Sequence, residues 1–165
     1  MNDIRIGYGY DSHRFEKGRR LVLGGVEFPG ETGLAGHSDA DVLIHAVIDA
    51  ILGAAALGDI GSHFPDADAR WKNADSTQLL ATVVAEAKAA GWTVGNVDAT
   101  VICERPKIGP RAADIRRRLA EILWPDDAVA GFARVSVKGK TNERMDDVGA
   151  GLGIEVHAVC LLKTT

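Results

Sequence analysis

Between Val42 and Leu57 only His45 and Asp49 interrupt a run of Val, Leu, Ile, Ala and Gly. A helix that is apolar on every side has to be covered all round, and this one is too short to cross a bilayer. The rest of the chain must therefore build a core over it. With 165 residues, 46% hydrophobic and 25% charged, the chain falls in the size range of a single globular domain over 1–165. Ser38, followed by Asp39 and Asp41, reads as the N-cap of this helix with acids in its first turn, and Gly58 as its stop.

The other elements follow from period and punctuation. Ile4 to Tyr10 alternates as a strand, and Leu21 to Phe28 reads as a second strand paired with it, broken at Gly24 and Gly25. Gly58 to Trp71 is a loop rich in Gly, Asp and Pro. A helix over Asp75 to Ala90 closes at Gly91, a residue suited to the left-handed cap. Val97 to Cys103 reads as a strand, Pro110 to Leu123 as a helix, and Ala133 to Lys138 and Ile154 to Leu162 as strands. Strands and helices mix without strict alternation, so the expected class is α+β, a mixed sheet with helices packed on one side.

Charge and cysteine content narrow the function. A net charge of -4 argues against a nucleic-acid partner, which calls for a basic face. Cys103 and Cys160 are too few for a disulfide framework and lack CxxC spacing, so both are expected as buried thiols in a reducing compartment. Met-Asn-Asp-Ile-Arg-Ile has neither the basic start nor the apolar stretch of a secretory signal, and the expected location is the cytoplasm, with no membrane partner.

Asp11 and His13 stand two apart at the end of the first strand and project to the same side. His45, on the apolar helix, offers a third ligand. One carboxylate and two imidazoles suit zinc with a fourth position open, which is the arrangement of a catalytic rather than a structural ion. By itself Asp-x-His occurs by chance, and a histidine in an apolar helix is also a common core residue. Asp41, His45 and Asp49 fall at four-residue steps, where Asp49 would orient His45; a solvated acidic stripe is the competing reading.

Three further segments suit phosphate. His37 and Ser38 precede the helix, where free amides favour an anion, although Ser38 also suits a plain cap. Gly58 to Asp68 is a glycine-bounded acidic loop fit for a sugar hydroxyl, a divalent ion or solvent. Lys138 to Glu143 gathers two cations, a hydroxyl and a carboxylate after a strand, either for phosphate oxygens and a magnesium-type ion or as a plain charged turn.

Taken together, Asp11-Ser12-His13, Gly36-His37-Ser38-Asp39-Ala40-Asp41-Val42, Leu52 to Gly61, Phe64-Pro65-Asp66, Asn96-Val97-Asp98, Pro106-Lys107 and Lys138 to Glu143 resemble, in order, the 2-C-methyl-D-erythritol 2,4-cyclodiphosphate synthase family. The resemblance implies a phosphorus-oxygen lyase of isoprenoid biosynthesis, in which a substrate phosphate attacks the β-phosphorus of a cytidine diphosphate ester and CMP leaves. It implies a cyclic homotrimer with active sites at subunit interfaces. Zinc would be held by Asp11, His13 and His45, and a second divalent cation, Mg2+ or Mn2+, by Glu143. His37 and Thr141 would stabilise the transition state. Asp59, Gly61, Asp66 and Asp68 would line the sugar-phosphate pocket, and Ser12, Ser38, Asp49, Ile60, Phe64, Pro65 and Ala67 are counted with them among the substrate-binding residues. Cys103, Glu104, Arg105, Pro106, Lys107, Ile108 and Gly109 would wrap the cytosine, and Lys140, Thr141, Asn142 and Glu143 the diphosphate.

The chain departs from that family in three places. Lys140 stands where many relatives carry Thr, and Ser12 replaces a common Val on the far side of its strand. Asp147, Ala150 and Leu152 stand in place of an aromatic residue and an Arg-Glu pair that in relatives help form a central cavity able to take an isoprenoid-like diphosphate. Two rival functions share the same residues: a zinc phosphoesterase that activates water, and a non-catalytic trimer that binds metal or nucleotide.

Overall fold

The computed structural model describes residues 3–165. Its frame is a five-stranded mixed sheet with helices on one face. In chain order the elements are β1 (Ile4–Glu16), β2 (Val22–Leu23), β3 (Val26–Glu27), β4 (Gly33–Leu34), α1 (Val42–Ala55), α2 (Ile60–His63), α3 (Ser76–Ala89), β5 (Trp92–Ile102), α4 (Ala112–Leu123), α5 (Ala128–Gly131), β6 (Val135–Lys140), α6 (Asp146–Gly149) and β7 (Gly153–Thr164). The strand order is β4-β1-β7-β5-β6. β7 pairs antiparallel with both β1 and β5, while β5 and β6 run parallel from Val97↔Val135 to Ile102↔Lys140.

α1 is the buried helix that its composition requires, with every residue but Asp49 and Gly53 out of solvent. It lies directly on β1 because Gly7 and Gly9 put no side chain between them: a Cβ on Gly7 would come within 1.9 Å of the Ala50 carbonyl, and one on Gly9 within 1.9 Å of the Ala46 carbonyl. α3 and α4 complete the helical layer over β5 and β6. Among the described residues no helix covers the opposite face of the sheet at Ile6, Tyr8, Tyr10 and Val159, which stand 70%, 59%, 42% and 42% exposed.

Several boundaries differ from the expectations. Leu21 to Phe28 does not pair with β1. Gly24 and Gly25 both take left-handed φ, +63° and +72°, and fold it into a hairpin of β2 and β3. The Asp41 carboxylate fastens that turn, accepting from the Gly24 and Gly25 amides at 2.8 and 2.7 Å. It also accepts from Ile44 N at 3.1 Å, so the cap of α1 is Asp41 and not Ser38. The helix closes before Gly58, at Ala56 in left-handed conformation, with Leu57 N bonded back to the Leu52 carbonyl at 2.9 Å. Asp75 and Gly91 bound α3 as expected. Pro110 lies in a 3-10 turn ahead of α4, and the Gly58 to Trp71 loop contains α2 and a second such turn at Ala69–Trp71. Each long strand runs further than its alternation indicated. Among the described residues no helix is long and apolar enough to cross a membrane.

Candidate metal centre and phosphate pockets

Asp11 and His13 leave β1 toward the helical layer, where α1 presents His45. Asp11 Oδ2 lies 3.0 Å from His13 Nε2 and 3.0 Å from His45 Nδ1, and the two nitrogens are 3.3 Å apart. Each residue offers one donor atom, all within 4.8 Å of one another. Side-chain exposures of 26%, 18% and 11% make the cluster partly buried but reachable.

The outer nitrogens set which inner atoms are free. His13 Nδ1 donates to the Ala35 carbonyl at 2.5 Å, leaving the Nε2 lone pair on the cluster. His45 Nε2 is engaged by the hydroxyls of Ser38 and Ser76 at 3.2 and 3.0 Å, leaving Nδ1. Two imidazole nitrogens and a carboxylate oxygen therefore converge on one point, an arrangement that calls for a proton or a cation. The donor set therefore fits a divalent ion. Without one, burial raises the Asp11 carboxyl, but hydrogen bonds and charge from His13 and His45 outweigh it and hold Asp11 at about 2. Burial opposes charge on His13, yet the Asp11 carboxylate wins and raises it.

Beside the triad opens a cavity of about 290 Å³ lined by Asp11, His13, His37, Ser38, His45, Ile60, Gly61, Phe64 and Asp66, together with Gly36, Trp71 and Leu79. Asp59 turns away to cap α2 through Ser62, and Asp68 holds Arg70. Pro65 and Ala67 are exposed on the same loop, and Ser12 is exposed on β1. Asp49 does not orient His45; its carboxylate accepts from Ile60 N at 2.8 Å, tying α2 to α1. His37 and Ser38 are not at the helix terminus either, because α1 begins only at Val42.

A second cavity of about 440 Å³ is lined by Cys103, Pro106, Lys107, Ile108, Gly109, Lys140 and Thr141, with Pro110 and Gly139. Burial pushes the Cys103 thiol up to about 11, so it is a packing residue there. Glu104 and Arg105 face a different cavity, of about 500 Å³, with Arg144. Thr141 Oγ1 is 3.5 Å from Glu143 Oε1, and Asn142 donates to Asp146 at 2.5 Å.

The two cavities do not meet within one chain. Asp11, Val156, Val101 and Gly139 form one row across β1, β7, β5 and β6. Three strand spacings separate its ends by about 14 Å.

Sequence reasoning missed three contributors to this region. Arg19 donates to the Gly36 and Ser38 carbonyls at 2.6 Å each and so fixes the segment that carries His37. Ser76 reaches His45 from α3, and Asp39, in the segment before α1, holds the Ser76 hydroxyl. Neither Ser76, which begins a helix 31 positions away from His45, nor Arg19, in a Gly-Arg-Arg turn, carries a local signal of such a contact.

Comparison with known proteins places this geometry. A family model described as the YgbB family matches residues 4–163. The chain is 53% identical, over 98% of its length and 99% of the relative's, to the 2-C-methyl-D-erythritol 2,4-cyclodiphosphate synthase of Salinibacter ruber. It is 56% identical, over 96% of its length, to the bifunctional enzyme IspD/IspF of an Anaeromyxobacter species, of which it spans 40%. A solved structure of Plasmodium falciparum IspF in complex with CDP superposes with a TM-score of 0.84 at 33% identity, covering 100% of this chain and 99% of the other. Matched by one model almost end to end, and more than half identical to relatives over nearly its whole length, the chain belongs to the YgbB family.

Proposed function

We propose that the chain is a single-domain enzyme that converts 4-diphosphocytidyl-2-C-methyl-D-erythritol 2-phosphate to the 2,4-cyclodiphosphate and CMP, a lyase step on the methylerythritol phosphate route to isoprenoids. The observation that carries it is the convergence of Asp11, His13 and His45 on one point beside a cavity holding His37, Ser38 and Asp66, in a chain of this family. The relative in the CDP complex supports a cytidine diphosphate ligand. We assign zinc to the triad on its ligand set, one carboxylate and two imidazoles, and a second divalent cation, Mg2+ or Mn2+, to Glu143. When bound, the two ions supply positive charge to phosphate oxygens.

The reaction asks little of the protein beyond alignment, because both nucleophile and leaving group belong to the substrate. His37 and Thr141 sit at the walls of the two cavities, each offering a polar hydrogen to a phosphate oxygen as negative charge builds. Asp66 and the loop around Gly61 face the sugar. Lys107, Ile108 and Gly109 take the cytosine, with Lys140 beside the diphosphate. One diphosphate cannot bridge the ~14 Å between the triad and the far edge of the sheet. We therefore infer a cyclic homotrimer in which the triad of one copy meets the Lys140 to Glu143 segment of the next. The uncovered apolar face around Ile6, Tyr8 and Tyr10 supports burial against other copies. Free, buried Cys103 and Cys160 fit the reducing cytoplasm we assign.

Incubation of zinc- and magnesium-loaded protein with the cytidylylated substrate tests the reading. Cyclic diphosphate and CMP in equal amounts, followed by mass spectrometry and phosphorus NMR, are expected. A free, uncyclised phosphate monoester would identify a phosphoesterase instead.

A further inference from the structure

Ser76 opens α3 without exposed surface, and its hydroxyl lies 3.0 Å from His45 Nε2. The same hydroxyl bonds Asp39 Oδ1, and the Ser76 backbone N–H donates to Asp39 Oδ2 at 2.9 Å. What each partner can do fixes where the hydrogens go. A carboxylate only accepts, so the one proton of Ser76 is committed to Asp39. Its oxygen is left with lone pairs toward His45, and Nε2 must answer with its own hydrogen. A neutral imidazole has only one, so Nδ1 keeps a lone pair, and any proton between it and Asp11 Oδ2, 3.0 Å away, is a second one that a bound ion would displace. Nδ1 is the atom that faces Asp11 and His13.

Ser38 does not settle this choice. Its hydroxyl oxygen is 3.2 Å from the same nitrogen and accepts from Ala40 N at 3.3 Å, but its own proton is uncommitted and free to point at Nε2, which would favour the opposite tautomer. We propose that Asp39 and Ser76 act as a positioning pair that holds His45 in its Nε2–H tautomer and so presents Nδ1 to the ion. The inference deepens the reading of the triad as a metal site and is independent of the reaction. Outer partners of this kind commonly change metal affinity by about 10- to 100-fold.

The test is Ser76→Ala, read by long-range proton–nitrogen NMR on [15N]histidine-labelled, metal-free protein and by competition titration with zinc. In the unaltered protein Nε2 of His45 is expected to carry a hydrogen, with or without a second proton shared between Nδ1 and Asp11. In Ser76→Ala the two tautomers should mix and zinc affinity should fall about tenfold or more, with cooperative unfolding retained. Ser76→Thr, which restores the hydroxyl, should recover both. If Ser76→Ala does not fold, Asp39→Asn, which keeps the side-chain volume and places an amide donor beside the hydroxyl, should likewise mix the tautomers. An unchanged tautomer and unchanged zinc affinity in a folded variant would overturn the proposal. Should the unaltered protein show no zinc-dependent shift at His13 and His45, the metal reading fails while the tautomer measurement still decides the role of Ser76.

Discussion

Asp41 joins the turn between β2 and β3 to the start of α1 through one carboxylate. It receives the Gly24, Gly25 and Ile44 amides while fully buried. Asp41→Ala would orphan all three donors, so a loss of about 2–3 kcal/mol is expected in urea unfolding, against about 1 kcal/mol for the simpler cap Asp75→Ala. Equal losses would mean that the hairpin turn does not depend on Asp41. The triad makes a second prediction at this scale. His13 is raised in the metal-free state, so its proton persists to higher pH and must leave before zinc binds. Apparent zinc affinity should therefore rise with pH below the His13 titration and level off above it; a flat profile across that range would contradict a neutral His13 ligand. The ligands themselves were legible, since period two brings Asp11 and His13 together and the apolar helix singles out His45. The cap was not. Ser38, Asp39 and Asp41 all suit an N-cap locally, and what selects Asp41 is a pair of amides in a hairpin some 16 residues earlier.

At the scale of elements, β1 and α1 place the site by touching backbone to backbone. Gly9 lies two residues before Asp11, and a Cβ there would strike the Ala46 carbonyl at 1.9 Å and Ala50 N at 2.6 Å, next to His45. Gly9→Ala must push the helix off the strand. Destabilisation of about 3 kcal/mol or more is expected, with loss of zinc binding in whatever folds. A variant of unchanged stability that binds zinc normally would show that the close approach is dispensable. The buried helix was readable from its composition alone. β1 was read only to Tyr10, because Asp11, Ser12, His13 and Arg14 break the apolar alternation; pairing with Gly153 to Val156 at the other end of the chain continues the strand. The Leu21 to Phe28 segment was misread for a related reason: two left-handed glycines turn it on itself, whereas its residue types alone suit a continuous strand.

For the whole molecule, the proposed ring of copies would account both for the open sheet face and for the distance between the triad and the Lys140 to Glu143 segment. Ile6→Asp and Tyr8→Glu would each place a charge on the uncovered face, and either should yield smaller species than the unaltered protein in multi-angle light scattering; an unchanged trimer would place the interface elsewhere. The class of fold and the Asp11, His13 and His45 cluster could be read from the chain, but not that this cluster and the Lys140 to Glu143 segment stand three strand spacings apart, because strand order is set by long-range pairing. The most direct measurement mixes two inactive variants. His45→Ala spoils the triad and leaves the Lys140 to Glu143 segment intact; Glu143→Ala does the reverse. Unfolded together and reassembled in equal amounts, about three quarters of trimers contain both variants, and each of these has one interface that pairs two intact halves. About a quarter of normal cyclodiphosphate formation should return by the same counting of neighbours. Confirmed exchange of subunits with no return of activity would contradict a site shared between copies.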